Sequence, residues 1–245
     1  MKIMRRLFDE VISPFSLKLR GTGCDTRQAY GEMEPAFVCV LLNEGKLTRQ
    51  SRFVDLGSGV GSVVVQAAIH IGCSAYGIEI RDDLAQRAEH LQLKARELFA
   101  GTGAPLGDIT LEQGDMLTSA TAAERVAEAD LVFVNNAKFG PELNHAIVHK
   151  LLLRMRSGSY VISLDEFLEV SRTRQGTPRY MVDSDRGTVL EVIRRPYPEG
   201  AVSWTSSANF YYFHRIYRAD ADTSEFRGLK QAFDDPSGQH ILQLG

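Results

Sequence analysis

The 245-residue chain has few of the features that would mark an oxidising compartment, a membrane or a charge-driven partner. Its three cysteines, Cys24, Cys39 and Cys73, are widely spaced. They form no CxxC pair and no metal-ligand spacing, so a reduced intracellular setting is expected. No apolar run approaches the roughly 20 residues of a membrane helix. The opening Met-Lys-Ile-Met-Arg-Arg lacks a following apolar stretch, so a secretory signal is not expected. Basic residues do not dominate: 28 Lys and Arg face 31 Asp and Glu, for a net charge of −3. No overall field therefore advertises nucleic acid, and any such contact needs a local patch. Arg172, Arg174 and Arg179, in an expected exposed loop, are the candidates, set against a merely soluble loop. Repeats and low-complexity stretches are missing too. Hydrophobic residues at 44% and charged residues at 24% are ordinary for one sizeable core with a small appendage.

The pattern along the chain is strand, helix, strand. Ile3, Leu7 and Val11 with Met4, Phe8 and Ile12 predict a short amphipathic helix, and Pro14 disfavours its continuation. Pro35 opens a second helix carrying Phe37, Val38, Leu41 and Leu42. These make an N-terminal helical lobe over 1–48. Strands are then expected at 53–56, 74–80, 109–111, 130–134 and 160–163. Helices are expected at 60–71, 82–100 and 142–156, the second with acids at its start and Gly101 as its stop. Such alternation implies an α/β fold with a parallel, doubly wound sheet. Past Phe167 come strands without helices, at 179–183, 187–193 and 209–217, so an antiparallel edge finishes a core spanning 49–218. Residues 219–245 read as a loosely held tail.

The glycine loop Asp55-Leu-Gly-Ser-Gly-Val-Gly61 follows the first strand and opens a helix. Gly57 and Gly59 allow a tight turn and close approach of a ligand. It is not a dinucleotide fingerprint, because Ser62 stands where that motif needs glycine. Asp55 would repel a pyrophosphate at the helix N-terminus and would favour a phosphate-free cation. S-adenosylmethionine, with its ammonium, sulfonium and nucleoside, fits. Glu79, ending Tyr76-Gly-Ile-Glu79, is placed to accept from both ribose hydroxyls. Asp115 in Gly114-Asp115-Met116 can accept from the adenine amino group, and Met116 can lie against the ring. One acid alone could be a solvated strand-end carboxylate; three in order make the stronger signal.

Residues 131–143, LVFVNNAKFGPEL, run from a buried-strand pattern into Asn135 and Asn136. The C-terminal end of such a strand is where an open α/β sheet places its ligand crevice. Uncharged carboxamides there suit a site that handles a cationic group.

With these motifs in hand, the chain resembles the non-SET histone-lysine methyltransferases named for disruption of telomeric silencing. The resemblance rests on Tyr30-Gly-Glu32, the glycine loop, Tyr76-Gly-Ile-Glu79, Val132-Phe-Val-Asn-Asn136 with Phe139-Gly-Pro-Glu142, and Val202-Ser-Trp204 with Tyr211-Tyr212. It implies a seven-stranded class I methyltransferase sheet, Rossmann-like, with a small N-terminal lobe, and it is also similar to compact kinetoplastid members. It implies a nuclear enzyme acting on a lysine of the core histone H3 on the nucleosome surface. It also implies that Tyr30 and Glu32 sit on a loop covering the methionine end of S-adenosylmethionine. Asp55, Gly57, Gly59 and Gly61 would hold that end, Glu79 the ribose, and Asp115 with Met116 the adenine. Asn135 and Tyr211 would line the channel for the target amine. The chain departs from the family at Ala137 and Lys138, where an aromatic usually follows the asparagines, and at Ser62 and Met33. The long lysine-rich nucleosome-binding extension of some members is not expected here.

Methyl transfer to an amine asks mainly for alignment and exclusion of water. Deprotonating a free lysine, with a pKa of about 10.4, costs about 4–5 kcal/mol at neutral pH. An apolar channel lowers that cost, with Tyr211, Phe133 and Phe139 as candidate walls and Asn135 as an orienting acceptor. No general base stands out. His145 and His149 could hold a metal but lack a third ligand, so a solvated helix face is preferred. Cys73 reads as a small buried residue. Two rivals remain: a methyltransferase of a small-molecule amine, and a catalytically silent module that binds the donor at chromatin.

Overall fold

The computed structural model describes residues 6, 7, 10, 32–100, 102, 103, 105–167, 179–183, 187–205, 207–218 and 241–243. Tyr30, Gly101, Arg172 and Arg174 lie outside them. Helix α1 (Pro35–Glu44) precedes β1 (Arg52–Leu56), α2 (Ser62–His70), β2 (Ser74–Glu79) and α3 (Asp82–Ala100). Then come β3 (Ile109–Gln113), α4 (Ala120–Ala127), β4 (Leu131–Val134), α5 (Pro141–Lys150) and β5 (Tyr160–Ser163). Strands β6 (Arg179–Asp183), β7 (Thr188–Tyr197), β8 (Asn209–Arg218) and β9 (Ile241–Gln243) complete the described elements.

One nine-stranded sheet runs β3-β2-β1-β4-β5-β8-β7-β6-β9. Strands β1 to β5 are parallel, and β8 is antiparallel to both β5 and β7. The first eight in spatial order are the doubly wound sheet with the antiparallel edge that the pattern predicts, one strand more than the seven the resemblance implies. The ninth, β9, pairs parallel to β6 and comes from the segment expected to be a loose tail.

Alternation along β1 sorts the two faces. Phe53 packs with α1, α2 and α3, whereas Val54 and Leu56 pack with α4 and α5. Asp55 shares the face of Phe53, so a carboxylate is carried into the first helical layer. The aromatic run in β8 divides the same way, with Tyr211 and Phe213 in one core and Tyr212 in the other. Leu7 is fully buried in the first core.

Three elements differ from the sequence pattern. Helix α4 was not predicted; it is only eight residues long and buries Ala122 and Val126 under an N-cap at Ser119, which accepts the Ala122 N–H at 3.0 Å. Two buried positions in eight residues are too short a run for a periodic pattern to mark a helix. The helix expected over 142–156 stops at Lys150, and a 3-10 turn follows at Leu152–Arg154. Leu151, Leu152 and Leu153 are all buried, and three consecutive residues cannot share one stripe of an α-helix. Strand β7 continues past Ile193 through Pro196, which pairs with Phe210. Beyond Val192 it has no partner from β6, and a sheet flank tolerates proline there.

Candidate functional site

Every loop leaving the parallel strands β1 to β4 at its C-terminal end opens onto one cavity of ≈ 530 Å³. Asp55, Gly57, Gly59, Glu79, Asp115, Met116 and Asn135 all line it, as do the expected walls Phe133 and Phe139. Gly57 and Gly61 hold φ angles of 80° and 75°, which a side chain would strain. A Cβ on Gly57 would stand 3.3 Å from the Phe139 ring, and one on Gly61 would press on Leu111 and Ala88. Gly61 itself lies behind the lining and caps α2.

The loop is tied to β2. The N–H groups of Gly57 and Ser58 both donate to the Ile78 carbonyl at 2.9 Å. Glu79 Oε2 accepts the Gly59 N–H and Oε1 the Arg81 N–H, each at 2.9 Å. Gly77 leaves space for this approach, since a Cβ there would lie 2.7 Å from Val64 and 2.8 Å from Ser58. Asp115 Oδ1 accepts the Leu117 N–H at 2.8 Å, which shapes the turn after β3.

Glu32 enters from the N-terminal side. Residues 32–34 lie along 201–203: Glu34 N–H donates to the Ala201 carbonyl, Ser203 N–H to the Glu32 carbonyl, and Met33 bridges Val202. This pairing brings Met33 and Trp204 to the cavity wall. Glu32 is buried beside it, with Oε2 accepting from Ser62 Oγ at 3.1 Å.

Electrostatics set Glu32 and Asp55 apart. Burial pushes the Asp55 carboxyl up to about 8, and the charge of Glu79 adds to it. Burial likewise raises Glu32 to about 8; Ser62 opposes the shift and Asp55 reinforces it. Asp55 Oδ1 and Glu32 Oε1 are buried without a hydrogen-bond partner among the described residues. Two desolvated acids, each with an open oxygen, can accept the hydrogen-bond donors of a cation, whose charge would favour their ionised forms. Among the described residues no cluster of His, Cys, Asp and Glu has metal-site geometry. An organic cation with hydrogen-bond donors fits this pair, and a phosphate does not.

Tyr211 is placed differently from the sequence expectation. It does not line the cavity; its hydroxyl donates to Glu44 at 2.6 Å, and its ring meets Phe37 edge-on at 5.9 Å. His145 and His149 stack at 4.1 Å along α5. Cys73 is fully buried, and burial raises its thiol to about 11, so it is no nucleophile.

Sequence reasoning assigned no cavity role to Met33, Val63, Leu84 or Trp204. The lone tryptophan, in a motif already matched, was the available signal.

The family model described as "Histone methylation protein DOT1" matches residues 8–216. The chain belongs to that family. Curated relatives carry the name "Histone-lysine N-methyltransferase, H3 lysine-79 specific". One, from Aspergillus fumigatus, is 30% identical over 95% of this chain and 44% of its own length. Another, from Gibberella zeae, is 36% identical over 76% of this chain and 37% of its own. A Drosophila melanogaster relative is 33% identical over 78% of this chain and 10% of its own. The chain thus spans less than half the length of these DOT1-family relatives. The sheet order, β3-β2-β1-β4-β5-β8-β7, is the class I methyltransferase arrangement that the resemblance implied. No helix among the described residues is long and apolar enough to cross a membrane.

Proposed function

We propose that this chain is a histone-lysine N-methyltransferase that takes S-adenosylmethionine in the cavity and modifies a lysine of nucleosomal histone H3. The observation that carries the reading is the pair of buried carboxylates, Asp55 and Glu32, each with an orphaned oxygen beside the glycine loop. Residue by residue, Asp55, Glu32, Gly57 and Gly59 would hold the amino-acid end of the donor, with Gly61 shaping the turn behind them. Glu79 retains lone pairs for ribose hydroxyls beyond its two backbone contacts. Asp115 and Met116 would take the adenine, and the loop of Tyr30 would cover the methionine end. When bound, the donor supplies a methyl group on a positively charged sulfur.

The chain's own residues do the rest. Phe133 and Phe139 line the same cavity as Asn135 with apolar rings and would exclude water there. Such walls disfavour an ammonium and favour the neutral amine. Asn135 offers an uncharged acceptor that orients the amine without holding its proton. No histidine lines the cavity among the described residues, and the departing proton would pass to solvent. Tyr211, held by Glu44, serves as a brace behind this wall rather than as part of it.

The substrate class follows from the names of the relatives, all H3 lysine-79 specific. A target on a folded histone surface explains an otherwise acidic chain without a general nucleic-acid field. The protein would act in the nucleus, meeting nucleosomal DNA only through local basic residues. The test is labelled methyl transfer to recombinant nucleosomes, to free histone H3 and to small amines, with mass-spectrometric mapping. Label on one H3 lysine in nucleosomes, far above the other substrates, is the expected result. Preference for a small amine, or donor binding with no transfer to any acceptor, overturns it.

A further inference from the structure

Asn136 touches nothing in the cavity, yet it is wholly buried and fully bonded. Its Oδ1 accepts the backbone N–H groups of Leu164 at 3.1 Å and Asp165 at 2.8 Å. Its Nδ2 donates to the Asp165 carbonyl and to Asn144 Oδ1, each at 3.1 Å. Both donors and both acceptor sites of the carboxamide are used, which fixes its orientation without ambiguity. Its own carbonyl accepts the Phe139 N–H at 2.9 Å and closes the turn after β4.

The network reaches further. Ser163 Oγ donates to the same Asp165 carbonyl at 2.8 Å and lies 3.0 Å from His214 Nε2. With the hydroxyl hydrogen so committed, the buried imidazole donates from Nε2 to Ser163. One side chain therefore joins the turn after β4 to the end of β5, to α5 and, through Ser163, to β8. Asn135 lines the cavity, whereas the side chain of Asn136 is taken up in this clamp.

We infer that Asn136 is a positioning residue: it acts through Asn135, whose carboxamide it aims at the reacting end of the cavity. Two adjacent asparagines then have separate duties. The first must stay free to meet a ligand, and the second must be saturated so that the first cannot swing. No residue of similar size replaces it. Aspartate keeps the acceptors but loses both donors, and it sets a carboxylate against the Asp165 carbonyl in a dry site. Protonation of that carboxyl would restore one donor. The inference rests on the proposed role of Asn135.

The experiment is a double-mutant cycle of Asn135→Ala and Asn136→Asp in nucleosome methylation, with donor-free 15N-labelled protein followed in parallel. Asn136→Asp is expected to lower kcat about 10- to 100-fold, as sub-ångström misplacement of an orienting group does. The KM for the donor should change less than about threefold, and kcat should partly recover as pH falls, relative to wild type. The combined variant should be no slower than Asn135→Ala alone. The side-chain amide resonance of Asn135 should move. Asn144→Ala, which removes one of the four bonds, should give the same pattern more weakly if the aspartate variant does not fold. Multiplicative losses in kcat, or an unmoved Asn135 resonance in these folded variants, overturn the clamp. An inactive wild type would instead defeat the methyltransferase reading, and the resonance would still decide the clamp.

Discussion

Tyr211 and Glu44, 167 residues apart in sequence, share a 2.6 Å hydrogen bond that fastens β8 to the last residue of α1. Arg195 Nη1 reaches the same carboxylate oxygen at 2.7 Å. Burial, and after it the Glu44 carboxylate, raises the phenol, so it stays a donor through the physiological range. The N-terminal helix is thus bolted to the antiparallel edge.

Replacing Tyr211 by Phe leaves the ring in place and removes one partner of a half-buried carboxylate. The expected loss is about 1–2 kcal/mol of unfolding free energy, read from the urea midpoint. Turnover should stay within about twofold. A collapse of turnover at unchanged stability would return Tyr211 to the channel.

Asp55 and Glu32 should report ligand binding through protons. Raised to about 8, both are largely neutral at pH 7, and a bound cation favours their ionised forms. Binding of S-adenosylmethionine should therefore release protons. Calorimetry in buffers of different ionisation enthalpy measures the number. Without ligand, their folded values exceed the unfolded ones, so their contribution to stability is complete below about 4 and falls away as pH rises toward 8. Asp55→Asn should flatten that limb of the melting-temperature curve and abolish proton release from this site. Proton uptake on binding would contradict the assignment.

His214 titrates with the opposite sign. Burial lowers it from 6.5 to about 3, so the unfolded chain binds the proton first. Stability from the neutral ring is present above pH 6.5 and is lost progressively down to about pH 3. His214→Gln keeps a donor for Ser163 and removes the titration. Its melting temperature should fall less steeply than that of wild type below pH 6. Parallel curves would show that the ring is protonated without penalty.

The legible parts of this protein are those written in local pattern. Apolar runs bounded by acids and glycines mark β1 to β4, and a parallel sheet sends their C-terminal ends to one edge. Asp55, Glu79, Asp115 and Asn135 could therefore be placed from spacing and meet in one cavity. Helix α4 escapes the sequence pattern because it is eight residues long and buries only Ala122 and Val126, and the triple leucine after Lys150 reads as helix because its burial on every side is a tertiary fact.

Glu32, Met33 and Trp204 belong to another category. Nothing local aims them at the glycine loop; the pairing of 32–34 with 201–203 does so, across some 170 residues. Tyr211 shows the converse, since its strand face was predictable but the acceptor that captures its hydroxyl lies at the far end of the N-terminal helix. Likewise the division of labour between Asn135 and Asn136 depends on which side of the sheet α5 and the β5 terminus occupy. The sequence by itself determined the layered sheet, the order of its acids and the phosphate-free character of the crevice, because those follow from short-range periodicity and charge. Tertiary structure alone decided which carboxylates are dry enough to demand a cation and which carboxamide is held still, because desolvation and saturated hydrogen bonding exist only once distant segments have closed around them.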